Sequence, residues 1–350
     1  MPDRRVSSAL RYVILLAVIA GAAPLAADSQ EEESPSLVAA FDREVAFESG
    51  GLTIPGTLSF PDHRSGDRLP AYVLVHGSGP NDRNAWSGFF PVFKEIASGL
   101  VKKGAVVLRY DKRAFLLGEK YKKAEDKAAV LEELKKVLPD HFIDDARAAF
   151  DYLAAQPEVD PEDITLIGHS QGGSFAFDIA AGKGFARLVL LAPGLLSMEE
   201  QTIHQLNYQI EYLGKLGMTD TVEKTRAVLK DYEALFAKIH DEAVPDETFL
   251  SGASKRFYLR WNELTANMDE KIVGTKTPTL IVQGDKDLLC PVELVREKEA
   301  LYTINPRISI VYIKNMRHDL HDFVFGLFKP ALVDAIWEHR AATPRAEKTE

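Results

Sequence analysis

A short apolar run, Ile164-Thr165-Leu166-Ile167, leads into Gly168-His169-Ser170-Gln171-Gly172-Gly173 and then into a helix-forming segment, residues 174–181. Strand, abrupt turn and helix in that order put a serine between glycines at the end of a buried strand, and few folds accommodate this. The turn is strained and too tight for flanking side chains, which is why glycines stand on both sides. It lifts the Ser170 hydroxyl to the edge of a sheet, ahead of a helix N-terminus. A serine presented this way is suited to attack an acyl carbon.

Such a strand needs neighbours of its own kind. Residues 71–75, 105–110, 188–191, 279–283 and 308–313 are short, apolar and rich in Val, Ile or Leu, as strands covered on both faces are. Between them lie amphipathic segments; in one, Phe142, Ile143, Ala146, Phe150 and Leu153 recur at helical spacing. Residues 41–47 and 52–60 read as an antiparallel pair turning at Gly50-Gly51. The alternation predicts an α/β protein: a mostly parallel, twisted sheet with helices on both faces, formed by residues 41–196 and 271–342. Two stretches break it. Residues 120–138 are charged and helical in composition. Residues 197–270 carry long helical patterns, with Val228, Leu229, Tyr232, Leu235, Phe236 and Ile239 in one of them. The second reads as a helical cap over the carboxyl edge of the sheet, where open α/β sheets bind ligands.

A serine hydroxyl is a weak nucleophile without a base to take its proton, and the base needs an acid to hold its tautomer. Both candidates follow strands. After residues 279–283 comes Gly284-Asp285-Lys286-Asp287, with Asp287 the first choice as acid and Asp285 the second. After residues 308–313 comes Lys314-Asn315-Met316-Arg317-His318-Asp319-Leu320-His321, with His318 the first choice as base and His321 the alternative. The order serine, acid, histidine suits a triad on such a sheet. An oxyanion hole needs two backbone N–H groups. One is that of Gln171. The other comes from His76-Gly77-Ser78-Gly79-Pro80, with Ser78 preferred and Gly77 or Gly79 in reserve. Trp86, Phe89 and Phe90, and Phe257, Tyr258 and Trp261 in the cap, are candidates to wall a substrate pocket. Arg113, in the strand-end stretch Tyr110-Asp111-Lys112-Arg113, is read first as a salt-bridge residue and second as a partner for a substrate carboxylate.

Among the 350 residues, Arg4, Arg5 and Arg11 precede an apolar run over 12–20 and small residues up to 27. Basic flank, apolar stretch and small-residue exit read as a signal peptide over 1–27, cleaved after Ala27 or, alternatively, Ala23, with an acidic linker over 28–40. The mature chain is then expected to be exported, periplasmic or extracellular, without a membrane span. The net charge of −10 with mixed signs gives no reason to expect a nucleic-acid partner. The single cysteine, Cys290, precludes an intrachain disulfide. Nothing in the sequence sets the oligomeric state.

The stretches His76 to Arg83, Arg109 to Arg113 and Gly168 to Gly173 together resemble the α/β-hydrolase superfamily, and within it exported bacterial serine esterases related to the dienelactone-hydrolase and serine-aminopeptidase branches. The resemblance spans roughly residues 40–340 outside much of the cap. It implies the α/β-hydrolase fold, a small-molecule carboxylic ester as substrate, a Ser170–His318–Asp287 triad, and no cofactor or metal. Such chains often follow Asp-Lys-Arg with glycine, whereas Ala114-Phe115 stands here. The alternatives on the same scaffold are an aminopeptidase, which needs an anion such as Glu199, Glu200 or Asp269 for the substrate ammonium, a thioesterase or acyltransferase, and a non-catalytic binding module.

Overall fold

The computed structural model describes residues 37–343. The expected signal segment and most of the expected linker lie outside the described residues. At the linker's end, Leu37–Val38 pairs antiparallel with His63–Arg64.

Eight strands form one sheet: β1 Phe41–Ser49, β2 Leu52–Phe60, β3 Leu69–Val75, β4 Val106–Tyr110, β5 Val159–His169, β6 Arg187–Leu191, β7 Thr279–Gly284 and β8 Ile308–Ile313. They lie in the order β8-β7-β6-β5-β3-β4-β2-β1. β2 is antiparallel to both its neighbours, and every pairing from β4 to β8 is parallel. The helices are α1 Val92–Lys102, α2 Arg113–Lys123, α3 Lys127–Lys135, α4 Pro139–Ala154, α5 Gln171–Ser174, α6 Ala176–Ala180, α7 Met198–Lys215, α8 Thr219–His240, α9 Lys255–Thr265, α10 Met268–Gly274, α11 Val292–Tyr302 and α12 Pro330–Ala342.

The strands are apolar on both faces because both faces are covered. Tyr72, Leu74, Ile167, Val189 and Val282 meet α1 and α12 on one side. Val73, Leu108, Leu166, Leu190 and Ile281 meet α4, α6, α10 and α11 on the other. Each such Leu or Ile, fully buried, contributes about 1.5–3 kcal/mol of transfer free energy. β3 sits between β4 and β5, so the chain leaves β3 to one side and returns on the other. That reversal opens a crevice at the carboxyl ends of β3 and β5.

The charged stretch at 120–138 is helical, as its composition predicts, in α2 and α3. Between β6 and β7 the chain inserts α7, α8, a hairpin (Phe249–Leu250 with Ala253–Ser254) and α9. Ser197 opens α7 with a capping box closed by Glu200. α9 rests on α4, where Phe257 meets Phe142 edge to face at 5.9 Å and Arg260 bonds Asp140 at 2.8 Å. α9 and α10 both pack with the core, through Phe257 and Leu264 and through Met268 and Ile272. Among the described residues no helix is long and apolar enough to cross a membrane.

Candidate active site

β5 ends at His169, and Ser170 turns the chain into α5 with φ 53° and ψ −117°. A non-glycine residue held there stores about 1–3 kcal/mol of strain. The Ser170 N–H donates to the Leu191 carbonyl at 2.9 Å, which ties the turn to β6. The flanking glycines are steric necessities. A Cβ on Gly168 would lie 2.3 Å from the Gly172 carbonyl oxygen, and one on Gly172 would lie 2.4 Å from that of Val75. A Cβ on Gly77 would stand 3.1 Å from that of Ser170, so the loop after β3 abuts the serine.

The loops after β7 and β8 bring Asp287 and His318 together: His318 Nδ1 donates to Asp287 Oδ2 at 2.9 Å. The other Asp287 oxygen accepts the N–H groups of Leu289 and Cys290, each at 2.8 Å, and Gln283 Nε2 reaches Oδ2 at 3.1 Å. A buried carboxylate satisfied on both oxygens holds the imidazole with Nδ1 protonated and Nε2 free to act as a base. Burial alone would lower the His318 pKa. The Asp287 carboxylate, by charge and hydrogen bond, and the neighbouring Cys290 thiol outweigh burial and raise it well above its ordinary value.

His169, the residue that precedes the serine, is tied to the loop that carries this ring. Its Nε2–H donates to the His318 carbonyl at 2.8 Å, and the two rings lie 4.9 Å apart. Burial, and then the His318 charge, push its pKa down to about 4, so it stays neutral beside a ring that gains a proton. The remaining candidates serve structure. Asp285 accepts the Asn315 N–H at 2.5 Å, which ties the loop after β7 to the loop after β8. His321 is buried between Glu95, 2.8 Å from its Nε2, and the Phe90 ring at 4.2 Å.

Gln171 is the first residue of α5, so its N–H has no intrahelical acceptor. The loop carrying Ser78 is shaped by Asn81, whose Nδ2 donates to the Ser78 carbonyl at 2.9 Å, and by Asp111, which holds Arg83 through its backbone and side chain. Lys112, buried at 5% exposure, reaches both segments expected to supply the oxyanion hole: Nζ donates to the Gly77 carbonyl at 2.6 Å and to Gln171 Oε1 at 2.9 Å. Burial lowers its pKa to about 7. His76 is buried as well, and burial together with the Lys112 charge pushes it down to about 3.

Beside Gln171 lies a mostly apolar cavity of about 410 Å³. Phe142, Leu134 and Val137 form its core side, and Phe257, Tyr258 and Trp261 of α9 its cap side. Of the six expected pocket residues, Phe257, Tyr258 and Trp261 are there. Trp86, Phe89 and Phe90 are not among the residues lining it: they belong to a small hairpin beyond the loop after β3, where Trp86 and Phe89 are 53% and 93% exposed. Their aromatic character signals a hydrophobic contact without telling which way a two-residue strand faces. Arg113 is not available to a substrate carboxylate, because Asp145 of α4 and the Ser49 carbonyl take its guanidinium. Ala114 stands in the first turn of α2 and lines the cavity, where a helical residue needs no glycine.

His169 and Lys112 carry the parts of this geometry that the motifs leave out. The position of His169 next to the elbow serine was the available signal for one; nothing in a charged strand-end triplet marks the other as buried.

Residues 90–322 match the family described as serine aminopeptidase, S33. The chain is 31% identical over 288 residues to the esterase EstD of Thermotoga maritima, covering 81% of this chain and 62% of that protein, so it spans less than two thirds of that relative's length. Two solved structures share the fold at low identity. Est1E from Butyrivibrio proteoclasticus, with ferulic acid bound, aligns with TM-score 0.54 at 16% identity over 85% of this chain and all of its own. The acylaminoacyl peptidase of Pyrococcus horikoshii aligns with TM-score 0.52 at 15% identity over 89% of this chain and 43% of its own. A match over two thirds of the sequence, on a sheet whose strand order and elbow turn are those just described, places this chain in the serine aminopeptidase (S33) family of α/β hydrolases.

Proposed function

We propose that this protein is a serine hydrolase that cleaves carboxylic esters bearing an apolar acyl group. The observation that carries the reading is the 2.9 Å bond between buried Asp287 and His318, on a histidine tied through its carbonyl to the residue before Ser170. Ser170 Oγ attacks the ester carbonyl as His318 Nε2 takes its proton, and Asp287 stabilises the resulting imidazolium. The N–H groups of Ser78 and Gln171 receive the negative charge on the carbonyl oxygen. Collapse of the tetrahedral intermediate breaks the C–O bond, and His318 returns the proton to the departing alkoxide. Water then attacks the acyl-enzyme, giving its proton to His318, which restores it to Ser170 Oγ as the acid leaves.

The acyl group enters the cavity between α4 and α9, where each buried methylene contributes about 0.8 kcal/mol. The name of EstD, an esterase, agrees with this. An aminopeptidase would need a carboxylate facing the substrate ammonium, and none is among the described residues lining the cavity. The acids that the sequence offers for that role are engaged elsewhere: Glu199 with Asn262 and His240, Glu200 with Ser197, and Asp269 with Lys298 and Tyr302.

Turnover of p-nitrophenyl esters beside aminoacyl anilides separates the two activities. Ser170→Ala is expected to cut ester turnover by about 10⁴-fold or more and to abolish fluorophosphonate labelling; an unchanged rate refutes the reading. Export through residues 1–27 is part of the same proposal. It is checked by fractionating cells and sequencing the N-terminus of the mature chain, and an intact Met1 in the cytoplasm overturns it.

A further inference from the structure

We propose that Lys112 is a positioning residue of the oxyanion hole, its ammonium tying the Gly77 carbonyl to the Gln171 side chain and so fixing the N–H groups of Ser78 and Gln171. The proposal rests on the reading of Ser170 as nucleophile.

Burying an ammonium costs several kcal/mol unless it is well partnered, and an apolar side chain of similar size would usually be the more stable choice. Lys112 nonetheless buries its Nζ and directs it at two acceptors, one on each element that supplies an oxyanion donor. Asp145, the nearby carboxylate, is bonded to Arg113 and acts on Lys112 through space. The lowered pKa agrees with a charge held there at a cost. The Phe142 ring, 4.6 Å from Nζ, supplies a further contact to the cation.

The geometry explains what that charge does. In a trans peptide the carbonyl and the following N–H point in opposite directions. Holding the Gly77 oxygen at 2.6 Å therefore sets the direction of the Ser78 N–H on the other side of the same peptide plane. The positive charge also polarises that peptide, which strengthens its N–H as a donor. At the second element, the anchored Gln171 side chain restrains the first residue of α5, whose backbone N–H is the other donor. The Lys112 backbone closes the arrangement: its N–H donates to the Asn81 carbonyl at 3.1 Å, and Asn81 in turn holds the Ser78 carbonyl. One side chain thus joins three segments, the loop after β3, the end of β4 and the start of α5.

The test is Lys112→Met, which keeps the length and removes the donors. With p-nitrophenyl butyrate, kcat is expected to fall about 10- to 100-fold with KM within about threefold, because the lost alignment matters for the oxyanion more than for the bound ester. Affinity for butylboronic acid, whose adduct with Ser170 carries an oxygen in the oxyanion position, is expected to fall by a similar factor. Thermal unfolding is expected at or above the wild-type temperature, since a buried charge has been removed. Gln171→Met, which cuts the tie but keeps the backbone N–H, is expected to lower kcat less, and the two losses are expected not to add in the double variant.

Wild-type kcat and boronate affinity in Lys112→Met overturn the proposal. So does a kcat loss accompanied by a lower unfolding temperature and unchanged boronate affinity, the signature of a merely structural residue. If Lys112→Met does not fold, wild-type kcat and boronate affinity in Gln171→Met overturn the proposal in its place. A wild type that neither hydrolyses esters nor binds the boronate sinks the Ser170 reading itself, a result distinct from these.

Discussion

Replacing Gly172 by Ala tests whether the elbow depends on contact between backbones. A Cβ there would lie 2.4 Å from the Val75 carbonyl oxygen, 2.7 Å from that of His76 and 2.9 Å from the Val75 carbonyl carbon. All three are main-chain atoms at the end of β3, so no side chain can swing aside. Real Cβ atoms keep about 3.0 Å from such neighbours, so α5 must back away from β3 by about 0.6 Å. That displacement separates Ser170 and the Gln171 N–H from the loop that carries the Ser78 N–H. Overpacking of this kind costs about 1–3 kcal/mol. Misplacement on the ångström scale costs about 10²-fold in rate. The variant is therefore expected to unfold several degrees lower and to turn over esters about 100-fold more slowly, while fluorophosphonate still labels Ser170. Gly214→Ala on α7, where a Cβ meets nothing within 4 Å, is the control and is expected to gain about 0.5–1 kcal/mol. Wild-type kcat and unfolding temperature in Gly172→Ala would refute the steric account.

Because Asp287 raises the His318 pKa against the effect of burial, ester turnover is expected to rise with pH through a midpoint above 6.5. Asp287→Asn leaves burial opposed by the Cys290 thiol alone, so the pH–rate profile is expected to shift its acid limb downward while kcat drops about 10⁴-fold. The stability that His318 adds is present below its unfolded pKa and lost as pH rises through the higher folded value, and urea titrations across pH are expected to lose that slope in the same variant. Trp261→Ala enlarges the cap side of the cavity, so kcat/KM is expected to shift toward longer acyl chains, by up to about fourfold per added methylene in a p-nitrophenyl ester series. Asp145→Ala leaves the buried Arg113 guanidinium without its carboxylate and is expected to cost about 3–5 kcal/mol in a denaturant melt.

Strand positions were the most legible part of the chain because burial on both faces leaves an apolar run that nothing else explains. β8 begins and ends where its apolar run does, and β7 runs one residue further, to Gly284. The sequence order of Ser170, Asp287 and His318 follows from the strand ends they occupy. Choosing Asp287 over Asp285 is a matter of which carboxylate turns inward, and the backbone of residues 285–290 decides that rather than composition. Lys112 illustrates the limit. Lysines are almost always exposed, so a charged triplet at a strand end reads as solvated surface. Burial here arises from the loop after β3 folding back over it and from Phe142 arriving from α4. Trp86 and Phe89 fail in the opposite sense, since large aromatic side chains suggest an interior that a surface hairpin does not provide.

The insertion between β6 and β7 also governs when the site comes into being. His169 and the His318 carbonyl it holds are 149 positions apart, with the whole cap between them. At about 5–20 residues per second, a ribosome needs about 7–30 s to travel from one to the other. Through that interval the Ser170 hydroxyl is already polymerised while His318, the base of the proposed triad, has yet to be translated. On the proposed mechanism, a nascent chain therefore stays inert toward esters until β7 and β8 take their places at the sheet's far edge.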